Sequence, residues 1–204
     1  MEAVLKEALT AARARRGGPG QALLGDAEAV ARACHDMAQR FHQGGKLIVF
    51  GNGGPSTDAQ HVSVEFVHPV VVGKRALPAT SLTSDAATLT GVANRDGFAE
   101  VFAYQLPILA AEADMALGVS SDGDCANVRR GLETGRELDL LTVALVGGDG
   151  GAIAASPAVD HVLTAHTADP LVAKELHVTL YHILWELVHV FFEQPGVLET
   201  EEVS

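Results

Sequence analysis

The sequence predicts an α/β fold with one five-stranded parallel sheet that is covered by helices on both faces. Five short apolar runs recur along the chain, and each is followed by Gly, Ser, Asp or Pro and then by a helical pattern. Parallel strands that are buried on both faces read as continuous apolar segments, and their alternation with helices is typical of such a sheet. The expected strands are residues 46–50, 79–82, 115–120, 141–146 and 161–165.

Two helices are expected before the first strand. Residues 1–15 carry apolar side chains at helical spacing, and a second helical stretch covers roughly residues 26–43. The Arg-Gly-Gly-Pro-Gly segment at residues 16–20 predicts a break between these helices, because glycine and proline interrupt helical patterns.

The longest helix is expected after the last strand, at residues 173–192. This segment is apolar nearly all the way round, which predicts a buried helix rather than a surface one. A rotation of about 100° per residue places four polar side chains on one stripe of the helix. We expect that stripe to be buried; its residues are Glu175, His182, Glu186 and His189.

The chain is expected to form a single domain over residues 1–204. Within it we distinguish an N-terminal helical segment at residues 1–43, an αβα core at residues 44–193 and a C-terminal tail at residues 194–204. A chain of this length can bury a full hydrophobic core, and the sequence shows no internal repeat or linker that would divide it.

The composition excludes several classes of protein. The 14 basic and 26 acidic residues give a net charge of −12, so there is no basic surface for a nucleic acid partner. No apolar run reaches the roughly 20 residues that cross a bilayer, and the first residues lack the apolar core of a signal peptide. We therefore expect a cytoplasmic protein with no membrane partner. Cys34 and Cys125 show neither a disulfide framework nor a zinc-knuckle spacing.

Two glycine-containing loops are candidates for binding an anion. Residues 51–57 (GNGGPST) join a predicted strand to a helix, where the backbone can approach a phosphate closely. The amides and hydroxyls of Ser56 and Thr57 are suitable donors. Alone, this pattern is equally compatible with a tight turn that only packs the helix. A second loop of the same kind at residues 120–124 (SSDGD) favours ligand binding.

Three side chains are candidates for proton transfer. His61 and Glu65 lie four residues apart and project from one face of the helix that leaves the first loop. An exposed pair of this kind is usually a solvated contact, but here it follows a candidate anion loop, as sugar-phosphate chemistry requires. His182 is compatible with two interpretations, a catalytic group or a core histidine paired with Glu186.

Four segments resemble the phosphoheptose isomerases of the sugar-isomerase (SIS) domain family. The resemblance runs from about residue 26 to residue 192, and it implies a three-layer αβα sandwich and a homotetramer with active sites between subunits. It also implies interconversion of sedoheptulose 7-phosphate and a glycero-manno-heptose 7-phosphate. The segments are FGNGGPSTDAQHVSVEF at 50–66, LGVSSDGDCANV at 117–128, VALVGGDGG at 143–151 and HVTLYHILWELVH at 177–189.

The resemblance also implies roles for individual residues. Glu65 and His182 match the acid/base pair of the family, and His61, Glu65 and His182 match positions that bind zinc in some members. It makes zinc a possible cofactor without making it a required one. The positions expected to contact the sugar phosphate are Asn52, Gly53, Gly54, Ser56, Thr57, Asn94, Arg95, Ser120, Ser121, Asp169 and Lys174.

This chain departs from the family pattern at several of these positions. Asp122 and Asp124 place two carboxylates beside the expected phosphate, where a like charge at 4 Å costs about 1–4 kcal/mol. Lys174 replaces a glutamine, and a protonated lysine repels zinc. A lysine at the start of a helix can swing toward solvent and so stay protonated. We therefore expect weak zinc binding, which Lys174→Gln would strengthen. Pro55 replaces a serine, and Arg95 replaces an aspartate.

The preferred hypothesis is an aldose–ketose isomerase that works through an enediol, with Glu65 and His182 moving the protons. One alternative is a non-catalytic SIS module that binds a sugar phosphate or a partner protein. The other is an isomerase with an altered substrate, whose cationic or differently phosphorylated group Asp122 and Asp124 would favour.

Overall fold

The computed structural model describes residues 1–194, Gly196 and Leu198, and it contains the five-stranded parallel sheet that the sequence predicts. The strand order is β2-β1-β3-β4-β5, and every neighbouring pair is parallel. All five predicted strands are present, with ends that differ by one residue or less. The strands are β1 (Leu47–Gly51), β2 (Ala79–Ser81), β3 (Met115–Ser120), β4 (Leu141–Gly147) and β5 (His161–Ala165).

Helices cover both faces of the sheet and form the outer layers of an αβα sandwich. Alternate strand residues point to opposite faces, so Val49 and Leu117 pack into one core and Phe50 and Ala116 into the other. The first core is closed by α2 (Ala27–His42), α3 (Gly54–Val67) and α8 (Pro170–Glu193). The second is closed by α4 (Ala86–Asp96), α5 (Leu106–Leu109), α6 (Ala126–Glu137) and α7 (Gly151–Ala154).

The strand order determines where a ligand can bind. The direction of winding reverses between β1 and β3, which are neighbours in the sheet although β2 lies between them in sequence. Open parallel sheets bind ligands in the crevice at the carboxyl ends of the strands beside such a reversal. The two candidate anion loops, at residues 51–57 and 120–124, lie at the carboxyl ends of β1 and β3. The topology therefore brings the two loops together.

The predicted break near residues 16–20 is wrong, because α1 continues from Glu2 to Ala22 with Pro19 inside the helix. Two ion pairs hold this segment against the start of α8. Arg16 donates two hydrogen bonds of 2.7 Å to the Glu175 carboxylate, and Arg15 lies 3.4 Å from Asp169. Glycine and proline lower the stability of a helix by about 1 and about 3 kcal/mol per residue without excluding it, and the two ion pairs are contacts with α8 that the local pattern does not contain.

The prediction for the last helix needs two corrections. The helix begins at Pro170, three residues earlier than expected, with Asp169 as its N-cap accepting from the Leu171 amide at 3.0 Å. The expected buried stripe is also wrong, because Glu175 and Glu186 are exposed and only His189 is fully buried. Only one side of α8 packs on α2, α3 and the sheet, so side chains on its other side are exposed.

Two expectations concern the remaining parts of the chain. Of the tail predicted at residues 194–204, all but Gln194, Gly196 and Leu198 lie outside the described residues. Within the part of the chain that the structure describes, none of the helices combines the length and the hydropathy needed to cross a membrane.

Gly147→Ala is expected to lower the free energy of unfolding by about 1–3 kcal/mol. An ideal Cβ on Gly147 would lie 2.0 Å from the carbonyl oxygen of Ser121, a backbone atom in the loop after β3. Urea denaturation measures the effect. Gly91→Ala is the matched control, because nothing lies within 4 Å of the added Cβ in α4 and alanine stabilises a helix by about 0.5–1 kcal/mol over glycine. Equal effects of the two changes would contradict the steric argument.

Candidate active site

A pair of side-chain amides connects the first loop, at residues 51–57, to α6. Asn52 and Asn127 exchange two hydrogen bonds, of 2.7 and 2.9 Å, and Asn127 is buried on α6. Gly53 adopts a φ of 62°, which a residue with a side chain rarely tolerates, and α3 then begins at Gly54. The predicted substrate contact Asn52 is therefore engaged in holding the loop. Asn127 lies in the LGVSSDGDCANV segment, but its pairing was not foreseen from the sequence.

Glu65, His61 and His182 meet between α3 and α8. His61 Nε2 lies 3.1 Å from Glu65 Oε1, and the rings of His61 and His182 have centroids 5.3 Å apart at 82°. One donor atom from each of the three side chains lies within 4.8 Å of the others, and all three residues are half-buried. In the described part of the chain, His182 makes no hydrogen bond to Glu186, so the geometry does not support the core-pair interpretation.

Tyr181 belongs to this cluster, although the sequence reasoning missed it. Its hydroxyl lies 2.8 Å from His61 Nδ1, and its ring packs edge-on against His61 at 5.3 Å. Burial raises the pKa of Tyr181, and the negative charges of Asp58 and Glu65 raise it further, so the phenol stays protonated at neutral pH. Tyr181 stands directly before His182 in an apolar helix, and its position in the sequence does not distinguish it from a core residue.

Lys174 is held on the first loop by three acceptors. Its ammonium donates to Asp58 Oδ1 at 2.5 Å, to the Gly54 carbonyl at 3.2 Å and to Thr57 Oγ1 at 3.3 Å. The Lys174 side chain is 40% exposed, but its ammonium pairs with the buried Asp58 carboxylate and does not extend into solvent. The sequence reasoning also missed Asp58, although it lies three residues before His61 on the same helix face.

The carboxylates of Asp122 and Asp124, in the second loop, accept hydrogen bonds from nearby groups of the protein. Asp122 Oδ1 accepts from Ser120 Oγ and from the Asp124 amide, each at 3.0 Å, and Asp124 Oδ1 accepts from the Ala152 amide at 2.9 Å. The hydrogen bond from the Asp124 amide lowers the pKa of Asp122. Asp122 therefore stays ionised and already uses two donors that an anionic ligand would need. Ser121 is half-buried in the same loop.

Three predicted substrate contacts lie apart from this cluster. Arg95 donates to Asp96 Oδ2 at 2.9 and 2.6 Å, and its guanidinium carbon lies 4.7 Å from the centroid of Tyr104. Asn94 is exposed, and Asp169 caps α8. Among the described residues, none of these three side chains hydrogen-bonds to His61, Glu65 or His182. The structure of this chain thus brings together the proton-transfer candidates and the two loops, but not every predicted contact.

Comparisons with known proteins show which proteins this chain is similar to. The SIS domain matches residues 21–147. A phosphoheptose isomerase of Pelobacter propionicus is 40% identical over 152 residues, which cover 74% of this chain and 79% of that protein. One from Helicobacter pylori is 33% identical over 84% of this chain and 88% of its own length. The structure of phosphoheptose isomerase GmhA from Neisseria gonorrhoeae superimposes with a TM-score of 0.82 at 30% identity, covering 90% of this chain and 98% of that one.

Proposed function

Because the chain belongs to the SIS domain family, in its phosphoheptose isomerase branch, we propose that it interconverts sedoheptulose 7-phosphate and a glycero-manno-heptose 7-phosphate. The observation that carries this proposal is the cluster of Glu65, His61 and His182 beside the carboxyl ends of β1 and β3. A general acid and a general base at this position are what an aldose–ketose isomerisation requires.

The reaction needs one proton moved between neighbouring carbons and one between their oxygens. We assign the carbon proton to Glu65, whose carboxylate takes it from the carbon beside the carbonyl while His182 protonates the carbonyl oxygen, which gives an enediol. The protonated carboxyl then returns it to the other carbon. His182, whose ring centroid lies 5.3 Å from that of His61, then takes the proton of the other enediol hydroxyl as the new carbonyl forms. The hydrogen bond between His61 and Glu65 holds the carboxylate in place.

The residues of the cluster fit a zinc ion. Two imidazoles and one carboxylate are a ligand set of catalytic zinc sites, and one donor atom of each lies within 4.8 Å of the others. His61, Glu65 and His182 would hold the ion, which would polarise the substrate carbonyl when bound. The ammonium of Lys174 is paired with Asp58, so the pair has no net charge. This pairing is our argument against the expected weak zinc binding, which rests on the repulsion between a protonated Lys174 and the ion.

Equilibrium dialysis with zinc is expected to give one bound ion per chain. His182→Asn should lower the affinity at least roughly tenfold, since it removes one imidazole ligand. His42→Asn is the matched control: this exposed histidine of α2 packs near Phe192 and is not in the cluster. Zinc affinities that are the same in all three proteins would rule out the cluster as the binding site.

Turnover of sedoheptulose 7-phosphate, with and without added zinc, tests the proposed function directly. A thermal-shift measurement with the same sugar phosphate separates catalysis from simple binding, since a ligand at 100 times its Kd stabilises by about 2.7 kcal/mol. Stabilisation without turnover would favour the non-catalytic SIS module. The second alternative, an isomerase with an altered substrate, is supported by the two hydrogen-bond donors that Asp122 occupies. Turnover of other sugar phosphates, without turnover of sedoheptulose 7-phosphate, would favour this alternative.

We further propose that the chain forms a homotetramer in the cytoplasm. Support for assembly comes from α1, which has no buried residue and exposes Val4, Leu5 and Leu9 at 69%, 58% and 71%. An apolar helix face of this kind is favourable only when another surface covers it. Light scattering coupled to size-exclusion chromatography measures the mass, and a monomer at micromolar concentration would refute the tetramer.

A further inference from the structure

We propose that Asp122 is a specificity-determining residue, because its carboxylate occupies hydrogen-bond donors of the second loop that the phosphate of a substrate would otherwise use. This inference rests on the proposed function for its effect on turnover, but the occupancy of the loop can be tested with inorganic phosphate alone. It concerns how strongly the site favours a phosphorylated sugar and not which atoms react.

The second loop, at residues 120–124, has the features of an anion site. It follows β3 where the direction of winding reverses, and it precedes the 12-residue helix α6, whose N-terminus attracts negative charge. Ser120 is fully buried, and its hydroxyl bonds only within the loop among the described residues. A hydroxyl and backbone amides beside a helix N-terminus are groups that bind a phosphate.

One oxygen of Asp122 already uses these donors. Oδ1 accepts from Ser120 Oγ and from the Asp124 amide, each at 3.0 Å, and Cys125 Sγ lies 4.0 Å from the same atom. Ser120 Oγ accepts in turn from the Gly123 amide at 3.0 Å, which fixes the direction of its own proton toward Asp122. The carboxylate oxygen thus has the surroundings of a bound phosphate oxygen.

The other carboxylates near the loop do not have these contacts. Asp124 Oδ1 accepts from the Ala152 amide at 2.9 Å, and Asp149 Oδ1 accepts from the Gly151 amide at 3.1 Å. Among the described residues, neither side chain bonds to a donor of the second loop. The effect on a phosphate should therefore depend on Asp122 in particular and not on the acidity of the region.

Occupation by Asp122 disfavours a charged ligand more than a neutral one. A phosphate must displace the carboxylate from both donors, and it then lies beside a like charge. A sugar hydroxyl needs no such displacement, because Asp122 is exposed and its second oxygen, Oδ2, can accept from it. Discrimination of this kind comes from an element that is unfavourable for one of two ligands.

Isothermal titration calorimetry with inorganic phosphate tests the occupancy. Asp122→Ala frees both donors and should bind phosphate at least roughly tenfold more tightly than the unaltered protein. Asp122→Asn removes the charge but keeps an acceptor for Ser120 and Asp124, so its gain should be smaller. Asp149→Ala is the matched control. It removes the same charge from the turn after β4, which contacts the second loop, and should change the affinity less than about twofold.

Steady-state kinetics with sedoheptulose 7-phosphate test the effect on the substrate. In Asp122→Ala, KM should fall roughly tenfold, since the phosphate gains the two donors. KM in Asp149→Ala should stay within about twofold of the unaltered protein.

The outcomes separate this inference from its rivals. Equal phosphate affinity in the unaltered protein and Asp122→Ala would overturn it, as would an equal gain in Asp122→Asn or Asp149→Ala, which would make charge alone the cause. If Asp122→Ala does not fold, ¹H–¹⁵N spectra of the unaltered protein decide: a shift of the Asp124 amide at about 1 mM phosphate would contradict the occupancy. Tighter phosphate binding in Asp122→Ala without turnover by any of the proteins would support the inference and refute the proposed function.

Discussion

Glu65→Gln is expected to lower kcat by roughly 10² to 10⁴-fold with sedoheptulose 7-phosphate, because the amide cannot take up the carbon-bound proton. The glutamine keeps the shape of the side chain and can still accept a hydrogen bond from His61, so the protein should stay folded and KM should change little. Steady-state kinetics measure the loss, and far-UV circular dichroism checks the fold.

The matched control for this experiment is Glu112→Gln. Glu112 is an exposed carboxylate just before β3, so it lies at the opposite edge of the sheet from the cluster. The control should retain full activity. Full activity in Glu65→Gln as well would remove Glu65 from the mechanism and shift the role of base to His182, for which His182→Asn is the parallel test.

Lys174→Met is expected to lower the free energy of unfolding by about 3 kcal/mol. The Asp58 side chain is 3% exposed, and among the described residues its second oxygen, Oδ2, has no hydrogen-bond partner, so the variant would leave a buried carboxylate without its cation. Breaking a buried ion pair costs about 3–5 kcal/mol, and the low end applies here because the lysine side chain is 40% exposed. Urea denaturation monitored by circular dichroism measures the change.

Lys74→Met provides the comparison. Lys74 pairs with Glu193, whose side chain is 60% exposed, and a surface pair of this kind contributes about 0–1 kcal/mol. If the two variants lose equal stability, burial of Asp58 is not the cause. A double variant with Asp58→Leu and Lys174→Met should recover part of the loss, since an apolar pair of this volume needs no partner.

The sequence was most informative where the determining interactions are local. The five strands were located to within one residue because parallel strands buried on both faces are continuous apolar runs. The pairing of His61 and Glu65 followed from their spacing of four residues on one helix. The prediction failed at residues 16–20, where glycine and proline indicated a break but α1 is continuous and forms ion pairs with Glu175 and Asp169 that the local pattern does not contain.

By itself, then, the sequence determined the fold class, the positions of the strands, the two loops at their carboxyl ends and the pair on α3. Only the tertiary structure decided which partners close the site: Asn127 for Asn52, Asp58 for Lys174 and Tyr181 for His61. The physical reason is the separation along the chain, since these partners come from elements that meet only when α3 and α6 flank the sheet and α8 packs against α3. Periodicity and spacing describe the neighbours of a residue within its own element, whereas a buried carboxylate or imidazole bonds to whichever donor the packing brings within reach.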